Sequence, residues 1–420
     1  MTSTLNPVKL TQAPQAAGHP IILVAPSDCN PKNLLRLHVA GDAVARRAPH
    51  WERHAPIGGC NSSVGRSAAR RAELRFRFLT LLQLRFHVTH HDPPGDEVSK
   101  RFGYMLKPWL TAAFAAGTRL PVSASVVIID TDEFLLVPGV ISPVAGYPVA
   151  QPYAFGSKWI DKMCAGTSAA CPVSLSRMEA RQHYAIGVPY LLGAADFQAI
   201  ARRWYSYMQV VVEQMGTKDI LADQYAYSLA AHAAGLPHRK STMMVSNVWS
   251  GGEGWDVLET IPRATRCSNV AAAAAAAGAR NARRSGYGGS GSPLFLHACQ
   301  FFTACADGSL PTRSVNNTKG NLGLPAQRGV LRPGQPCTWD QQWTFHKGHV
   351  PSDFAMSCDS SLLASPPEDL FAVQTSAQGR RAAFMVCALT TAYNDAAEAA
   401  CPGGGGLPTP PSGAPGWRSG

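Results

Sequence analysis

The sequence predicts an α/β fold, a sheet covered by helices, and three stretches carry that reading. Ser125 opens a run of four branched apolar residues, Val126 to Ile129, which ends in Asp130-Thr-Asp132-Glu133 and is followed at once by Phe134-Leu-Leu-Val137. A continuous apolar run bounded by polar residues fits a strand buried on both faces, as in a parallel sheet. Gly187-Val-Pro-Tyr-Leu-Leu192 is a second short strand. It leads into Ala194 to Met215, where Phe197, Ile200, Ala201, Trp204, Met208, Val211 and Val212 share one face of a helix that Gly216 closes. A further helix is expected over 219–234, with Asp219 placed to cap it and Gly235 and Pro237 to end it.

The remaining elements follow in chain order. His19 to Ala25 reads as a strand and Pro31 to Val44 as a short helix, whereas Ala45 to Arg71 has no sustained period and reads as a loop. Phe86 to Thr89 is a strand entering the turn His90-His-Asp-Pro-Pro-Gly95. Tyr104 to Ala116 carries Trp109, Leu110, Ala113 and Phe114 at helical spacing, with Lys107-Pro108 near its start and Gly117 as its stop. Cys164 and Cys171 are close enough in sequence to be bridged. Ala271 to Ser292 is an alanine run passing into glycine and serine, read as a low-complexity insertion. Pro293 to His297 is a strand ending in a histidine, Trp343-Thr-Phe-His-Lys347 follows, and a last helix is expected from about Arg380 to Ala400. The organisation expected is a basic, poorly patterned segment 1–85, a domain 86–400 carrying the insertion 271–292, and a disordered Pro/Gly-rich tail 401–420.

With 420 residues and 45% hydrophobic content, the chain has material for a large core. The net charge of +11 comes from scarce acids, since charged residues are only 15% of the chain. The arginines that crowd the first 85 residues lack the aromatic interleaving of a nucleic-acid binder, so nucleic acid is not expected as a partner. The eleven cysteines form no CxxC pair, which argues against a zinc ribbon. Together with the sequons at Asn61 and Asn316 they favour an oxidising, secretory-pathway compartment, the ER or Golgi lumen; reduced, buried cysteines of a cytosolic protein are the rival reading. No stretch has the length and apolarity of a membrane span, and Met1 to Leu10 lacks the apolar core of a signal peptide. A luminal protein would therefore have its targeting segment and membrane anchor outside this chain.

In open α/β sheets ligands bind beyond the carboxyl ends of the strands, which is where Asp130 and Asp132 fall. Two acidic oxygens there suit a hard divalent cation holding phosphate oxygens, although a D-x-D taken alone reads as well as a solvated strand end. Asp223 near a helix start is, by itself, a charge–dipole contact, and His297 at a strand end a hydrogen-bonded core residue. Taken together they supply cation ligands from separate segments at the matching ends of a sheet.

The order Asp-Thr-Asp-Glu-Phe, Gly187-Val-Pro-Tyr-Leu-Leu, Ile200-Ala-Arg-Arg-Trp204, Ala222-Asp-Gln-Tyr-Ala-Tyr-Ser-Leu-Ala-Ala231, Leu296-His297 and Trp343-Thr-Phe-His-Lys347 resembles the plant and green-algal peptidyl glycosyltransferases. These are the hydroxyproline O-arabinosyltransferases and the peptidyl serine α-galactosyltransferases. The resemblance covers about Phe86 to Pro402 and is most specific over 187–238. It implies a GT-A-like, Rossmann-type mixed sheet flanked by helices, a UDP-sugar donor held through manganese or magnesium, and an acceptor in hydroxyproline- or serine-rich polypeptide. By the same resemblance Asp130 and Asp132 hold donor and metal, His297 completes the metal shell, Asp223 faces the acceptor as base or orienting group, and Lys347 neutralises diphosphate charge. Arabinosyl and galactosyl members differ in stereochemical outcome, and no residue decides between inversion and retention. The first strand and helix of the family's nucleotide half-site are not recognisable in 1–85, save for His19 to Ala25 as a stand-in. The alternative is therefore an inactive relative that binds Pro-rich peptide or glycan through Trp204, Tyr225 and Trp343.

Overall fold

The computed structural model describes residues 20–58, 82–83, 86–91, 106–136, 143, 145–153, 158–164, 171–172, 174–216, 219, 221–248, 254–285, 295–309, 342–348, 350 and 363–400. Its centre is β1, Ile21–Val24, all aliphatic and all buried. β1 pairs in parallel with β3 (Glu52–Gly58) on one side and with β5 (Ser125–Ile128) on the other. β5 in turn pairs antiparallel with β8 (Ile186–Gly193), which carries β7 (Val149–Pro152) and then the short β9 (Arg239–Lys240). At the far edge β3 takes β2 (Ser27–Asp28) and β4 (His87–His91), both parallel. The mixed sheet flanked by helices that the sequence predicts is the architecture observed.

The period of two along the strands divides the interior into two cores. Ile21, Leu23, Val127, Ile129, Val149 and Leu191 point to one, and Ile22, Val24, Val126, Ile128, Ala150 and Leu192 to the other. The first core is closed by α1 (Pro31–Arg47), α5 (Val270–Ser285) and α6 (Ala377–Ala400); the second by α2 (Leu106–Gly117), α3 (Ala194–Met215) and α4 (Ala222–Ala233). A second sheet, β10 (Met244–Val245), β11 (Phe295–His297) and β6 (Glu133–Leu135), packs in the first core, and β12 (Phe302–Cys305) pairs with β13 (Gln342–Phe345) beside it. Gln151, fully buried, ties the two sheets together: its Oε1 accepts from the Met243 and Met244 N–H groups at 2.7 and 3.0 Å.

Several segments differ from the sequence reading. Within the segment read as poorly patterned, residues 21–58 form β1, α1 and β3: β1 and α1 fall on the strand His19 to Ala25 and the helix Pro31 to Val44 of the sequence reading, whereas β3 lies in the stretch read as loop. α1 starts on Asn30, whose side chain accepts from Lys32 N–H at 3.1 Å, with Pro31 in the first turn. β3 falls inside the stretch read as loop for want of a sustained period. The pairing with β1 ends at His54, so Pro56 lies past the last β1 pair and opposite Thr89 of β4. Ala271 to Ser285, part of the stretch read as a low-complexity insertion, is helical, as alanine's helix propensity allows, and Ala274 and Ala277 are buried in the core. Residues 286–292 and 401–420 and both sequons lie outside the described residues. Helix α4 begins at Ala222 with Leu221 as its N-cap, so Asp219 is not the cap; its Oδ1 accepts from Leu221 N–H at 3.0 Å, one turn earlier.

Cys164–Cys171 is a disulfide, as is Cys267–Cys387, which pins the start of α5 to α6; Cys29 and Cys305 are also disulfide-bonded. No helix among the described residues is long and apolar enough to cross a membrane.

Between β8 and the α3–α4 pair lies an aromatic stack that positions the helices. Tyr190 and Tyr227 lie face to face at 3.6 Å, and Trp204 meets both edge-on at 5.9 and 5.0 Å. Trp204 is 0% exposed and its Nε1–H donates to the Asp223 carbonyl at 2.8 Å, so the loss of this one ring removes packing and leaves a buried carbonyl short of a donor. Trp204→Ala should lower the unfolding free energy by about 3–5 kcal/mol, read as a shift in denaturant midpoint at unchanged slope. A midpoint within error of wild type would show that the stack does not hold α3 in place.

His238 gives a pH test of the same core. Burial drives its pKa down from 6.5 to about 3, against the opposing Leu236 carbonyl, and its Nε2 lies 3.0 Å from the Tyr227 hydroxyl. Between those two values the unfolded chain binds a proton that the folded chain refuses, so stability is full above 6.5 and falls as the pH drops toward 3. Denaturant midpoints measured from pH 7 to 4 should fall, and His238→Gln should flatten that slope; an equal slope in the variant would assign the loss to other groups.

Candidate functional site

The site is built on a turn. β5 ends at Ile128, and the chain reverses through Asp130-Thr131-Asp132-Glu133, closed by Glu133 N–H donating to the Asp130 carbonyl at 3.1 Å. The Asp130 N–H donates back to Glu133 Oε2 at 3.2 Å, so the third acid of the motif locks the turn from inside. Glu133 is 0% exposed, and burial, reinforced by Asp130 and Asp132, pushes its carboxyl up against the pull of His297. β6 leaves the turn for the second sheet, where β11 runs antiparallel to it and sets His297 opposite Glu133. Ala298 N–H donates to the Asp132 carbonyl at 2.9 Å, fixing the register at that point.

This register brings Asp130, Asp132 and His297 together: one donor atom from each lies within 4.8 Å of the others, and His297 Nε2 is 3.7 Å from Asp132 Oδ2. The sequence placed these residues at matching ends of one sheet. In the structure the aspartates follow the main sheet and His297 lies on the second, with β6 carrying the chain between them. Two carboxylates and an imidazole from separate elements are a donor set suited to a divalent cation.

Each carboxylate also has an ammonium partner. Lys107, from the first turn of α2, contacts Asp130 Oδ1 at 2.8 Å and forms a second, shorter ion pair with Asp223 Oδ2. Its side chain is 12% exposed and lies 5.8 Å from the Trp204 ring centroid. Lys347, in the turn after β13, pairs with Asp132 Oδ2. Burial works against the Asp132 anion, but His297, Lys347 and Arg36 outweigh it and hold the carboxyl down at about 2. Burial likewise disfavours the His297 imidazolium, and the neighbouring Cys299, Asp132 and Glu133 push it up to about 10. Burial would discharge Lys107, but Asp130 and Asp223 keep it firmly protonated.

Asp223 sits at the second position of α4, 2% exposed. Burial and Asp130 push its carboxyl up, while Lys107 and the Gln224 N–H restrain it. It is thus joined to Asp130 through Lys107 and reaches His297 and Asp132 only across that bridge. Of the aromatic residues read as peptide-binding, Trp204 and Tyr225 are buried core side chains, and Trp343 is half-buried on β13.

Sequence reading missed Lys107, Arg36 and the turn-closing role of Glu133. Lys107-Pro108 was legible only as a helix start, and nothing local marks a lysine that will be buried between two acids. Gly187 has a similar hidden reason: a Cβ there would run into the ring of Tyr153, which is partly buried beside this acidic cluster. Lys107→Met leaves the buried Asp223 and the partly exposed Asp130 without their cation and should destabilise the fold by about 3–5 kcal/mol. Adding Asp223→Asn should recover part of that loss in a double-mutant cycle followed by denaturation. Strict additivity would mean that the bridge contributes nothing.

No family model and no curated protein sequence matches the chain. Among solved structures it is similar to the galactosyltransferase LgtC in complex with donor and acceptor sugar analogues, at 10% identity and a TM-score of 0.37, over 66% of this chain and 87% of that one. It is also similar to the apo-form glycosyltransferase GlyE of Streptococcus pneumoniae TIGR4, at 11% identity and 0.31, over 67% and 54%. A third similarity is to the bifunctional glycosyltransferase WbbM in apo form, at 10% and 0.32, over 68% and 46%. The chain thus spans about half of the length of GlyE and of WbbM. Overlaps this distant assign no activity, and the functional reading rests on the site.

Proposed function

We propose that the chain is a metal-dependent glycosyltransferase that moves a sugar from a UDP-sugar to hydroxyproline or serine of Pro-rich glycoproteins in the secretory pathway. The observation that carries the proposal is the convergence of Asp130, Asp132 and His297 within 4.8 Å beyond the end of a central strand. The sequence resemblance to peptidyl glycosyltransferases supplies the donor, the acceptor and the compartment.

A divalent cation held by Asp130, Asp132 and His297 would compensate the negative charge that grows on a departing nucleoside diphosphate. Metal ligands must be deprotonated, so His297 gives up its proton on binding. Lys347 adds a point charge for the same phosphate oxygens. Lys107 holds Asp130 in place and pairs with Asp223 Oδ2. A general base must present an oxygen to the hydroxyl it deprotonates. Asp223 already has Oδ2 on Lys107 and the Gln224 N–H beside it, so we assign it the orienting role rather than that of base. The presence of β1 and α1 supports an active enzyme over a non-catalytic relative, and the burial of Trp204 and Tyr225 weakens the peptide-binding alternative.

Calorimetry should show UDP binding that strengthens at least about tenfold when manganese is added and that Asp132→Ala abolishes. Incubation with UDP-arabinofuranose, UDP-galactose and UDP-glucose and a Pro/Hyp/Ser peptide should then yield a glycosylated product with one of them. Nucleotide binding indifferent to metal, or full transfer activity in Asp132→Ala, would end the cation assignment.

A further inference from the structure

We propose that Lys347 is an exchangeable internal cation: its ammonium holds the Asp132 oxygen beside His297, and it leaves that oxygen for the donor's diphosphate when a divalent cation enters. The inference rests on the cation reading of Asp130, Asp132 and His297 and concerns how that group is loaded.

Lys347 Nζ is paired with Asp132 Oδ2, the same oxygen that lies 3.7 Å from His297 Nε2. An ammonium and a divalent ion on one buried carboxylate oxygen would repel each other at contact distance, so one must go. The two site lysines are not equivalent in this respect. Lys107 bridges two carboxylates, and if Asp130 turns to a metal, Lys107 keeps Asp223. Among the described residues the ion-pair partner of Lys347 is Asp132 alone, so its loss leaves the ammonium needing a new anion. Arg36 on α1 also acts on Asp132 and adds fixed positive charge on that side.

The backbone around Lys347 favours a side-chain swing over a loop movement. Gly348 offers its carbonyl to Lys32 Nζ at 2.9 Å and its N–H to His346 Nδ1 at 3.2 Å, and the His346 ring stacks on Phe301 at 3.8 Å. The chain is thus pinned on both sides of the residue, while the four-carbon stem, 23% exposed, remains the movable part. A phosphate oxygen arriving with the metal gives the ammonium its replacement partner. Cation and nucleotide then favour each other's binding through Lys347, with equal factors in the two directions.

The test is titration of manganese into the full chain with and without UDP, followed by calorimetry, for wild type, Lys347→Met, Lys347→Gln and Lys347→Arg, with folding checked by circular dichroism. Removing the charge should tighten manganese binding in the absence of nucleotide by about tenfold and reduce the gain that UDP brings, whereas Lys347→Arg should stay near wild type. Either charge-removing variant that folds suffices. Manganese binding no tighter than wild type in Lys347→Met or Lys347→Gln overturns the exchange and leaves the cation site standing. Absence of manganese binding in every protein, with UDP or without it, overturns the cation reading and the exchange together.

Discussion

The structure depends on how it balances acids that it has buried. Asp130, Asp132, Glu133 and Asp223 meet around one reversal of the chain, and an isolated carboxylate in such a place would cost several kcal/mol of desolvation. The answer is pairing from outside the turn: Lys107 arrives on α2, Lys347 on the turn after β13, His297 on β11. Glu133 is handled differently: burial and its acidic neighbours push its carboxyl up, and its Oε2 accepts from the Asp130 N–H inside the turn. Every element that supplies a counter-charge must dock before the cluster is compensated, so the site and the packing of both cores are one problem. α2 must close the second core to bring Lys107, and β13 must join β12 to bring Lys347.

What was legible in the sequence follows from what kind of signal each element leaves. β5, β8, α3 and α4 have apolar periodicity strong enough to stand alone, and Asp130-Thr-Asp132 follows the first of them. His297 was legible as a strand end, but its proximity to the aspartates depends on β6 crossing to the second sheet, a pairing between residues about 160 apart in sequence that no local pattern encodes. β3 was hidden by its lack of a sustained period, and α5 by the uniformity of its alanines, which give a helix no distinguishable face on paper. Lys107 shows the general reason for the misses: a lysine at a helix start is ordinary until the fold buries it between acids.

The same accounting explains why aromatic residues that suggest ligand binding in the sequence serve the interior. Trp204, Tyr190 and Tyr227 fill the gap between β8 and the two helices that follow it, and the indole N–H finds the carbonyl of Asp223. That hydrogen bond fixes the backbone of the residue whose side chain meets Lys107. A chain of contacts therefore runs from the aromatic core through Asp223 and Lys107 to Asp130, and on through the turn to Asp132 and His297.

That chain bears on the roles the carboxylates can take. Asp130 is the most open of them, with its side chain 26% exposed, and Lys107 uses one of its two oxygens. Asp223 is closed at 3% and committed to Lys107. If Asp223 took up a proton, Lys107 would be left on Asp130 alone, changing the charge balance beside the proposed cation ligands. Under the proposed function, coupling proton uptake to a charge change beside the cation ligands is a poor arrangement for catalysis. Under the same proposal, the more consistent division of labour leaves Asp223 paired with Lys107 and gives Lys107 the task of keeping the two carboxylates at a fixed spacing, so that the residues around the turn do not reorganise as charge develops.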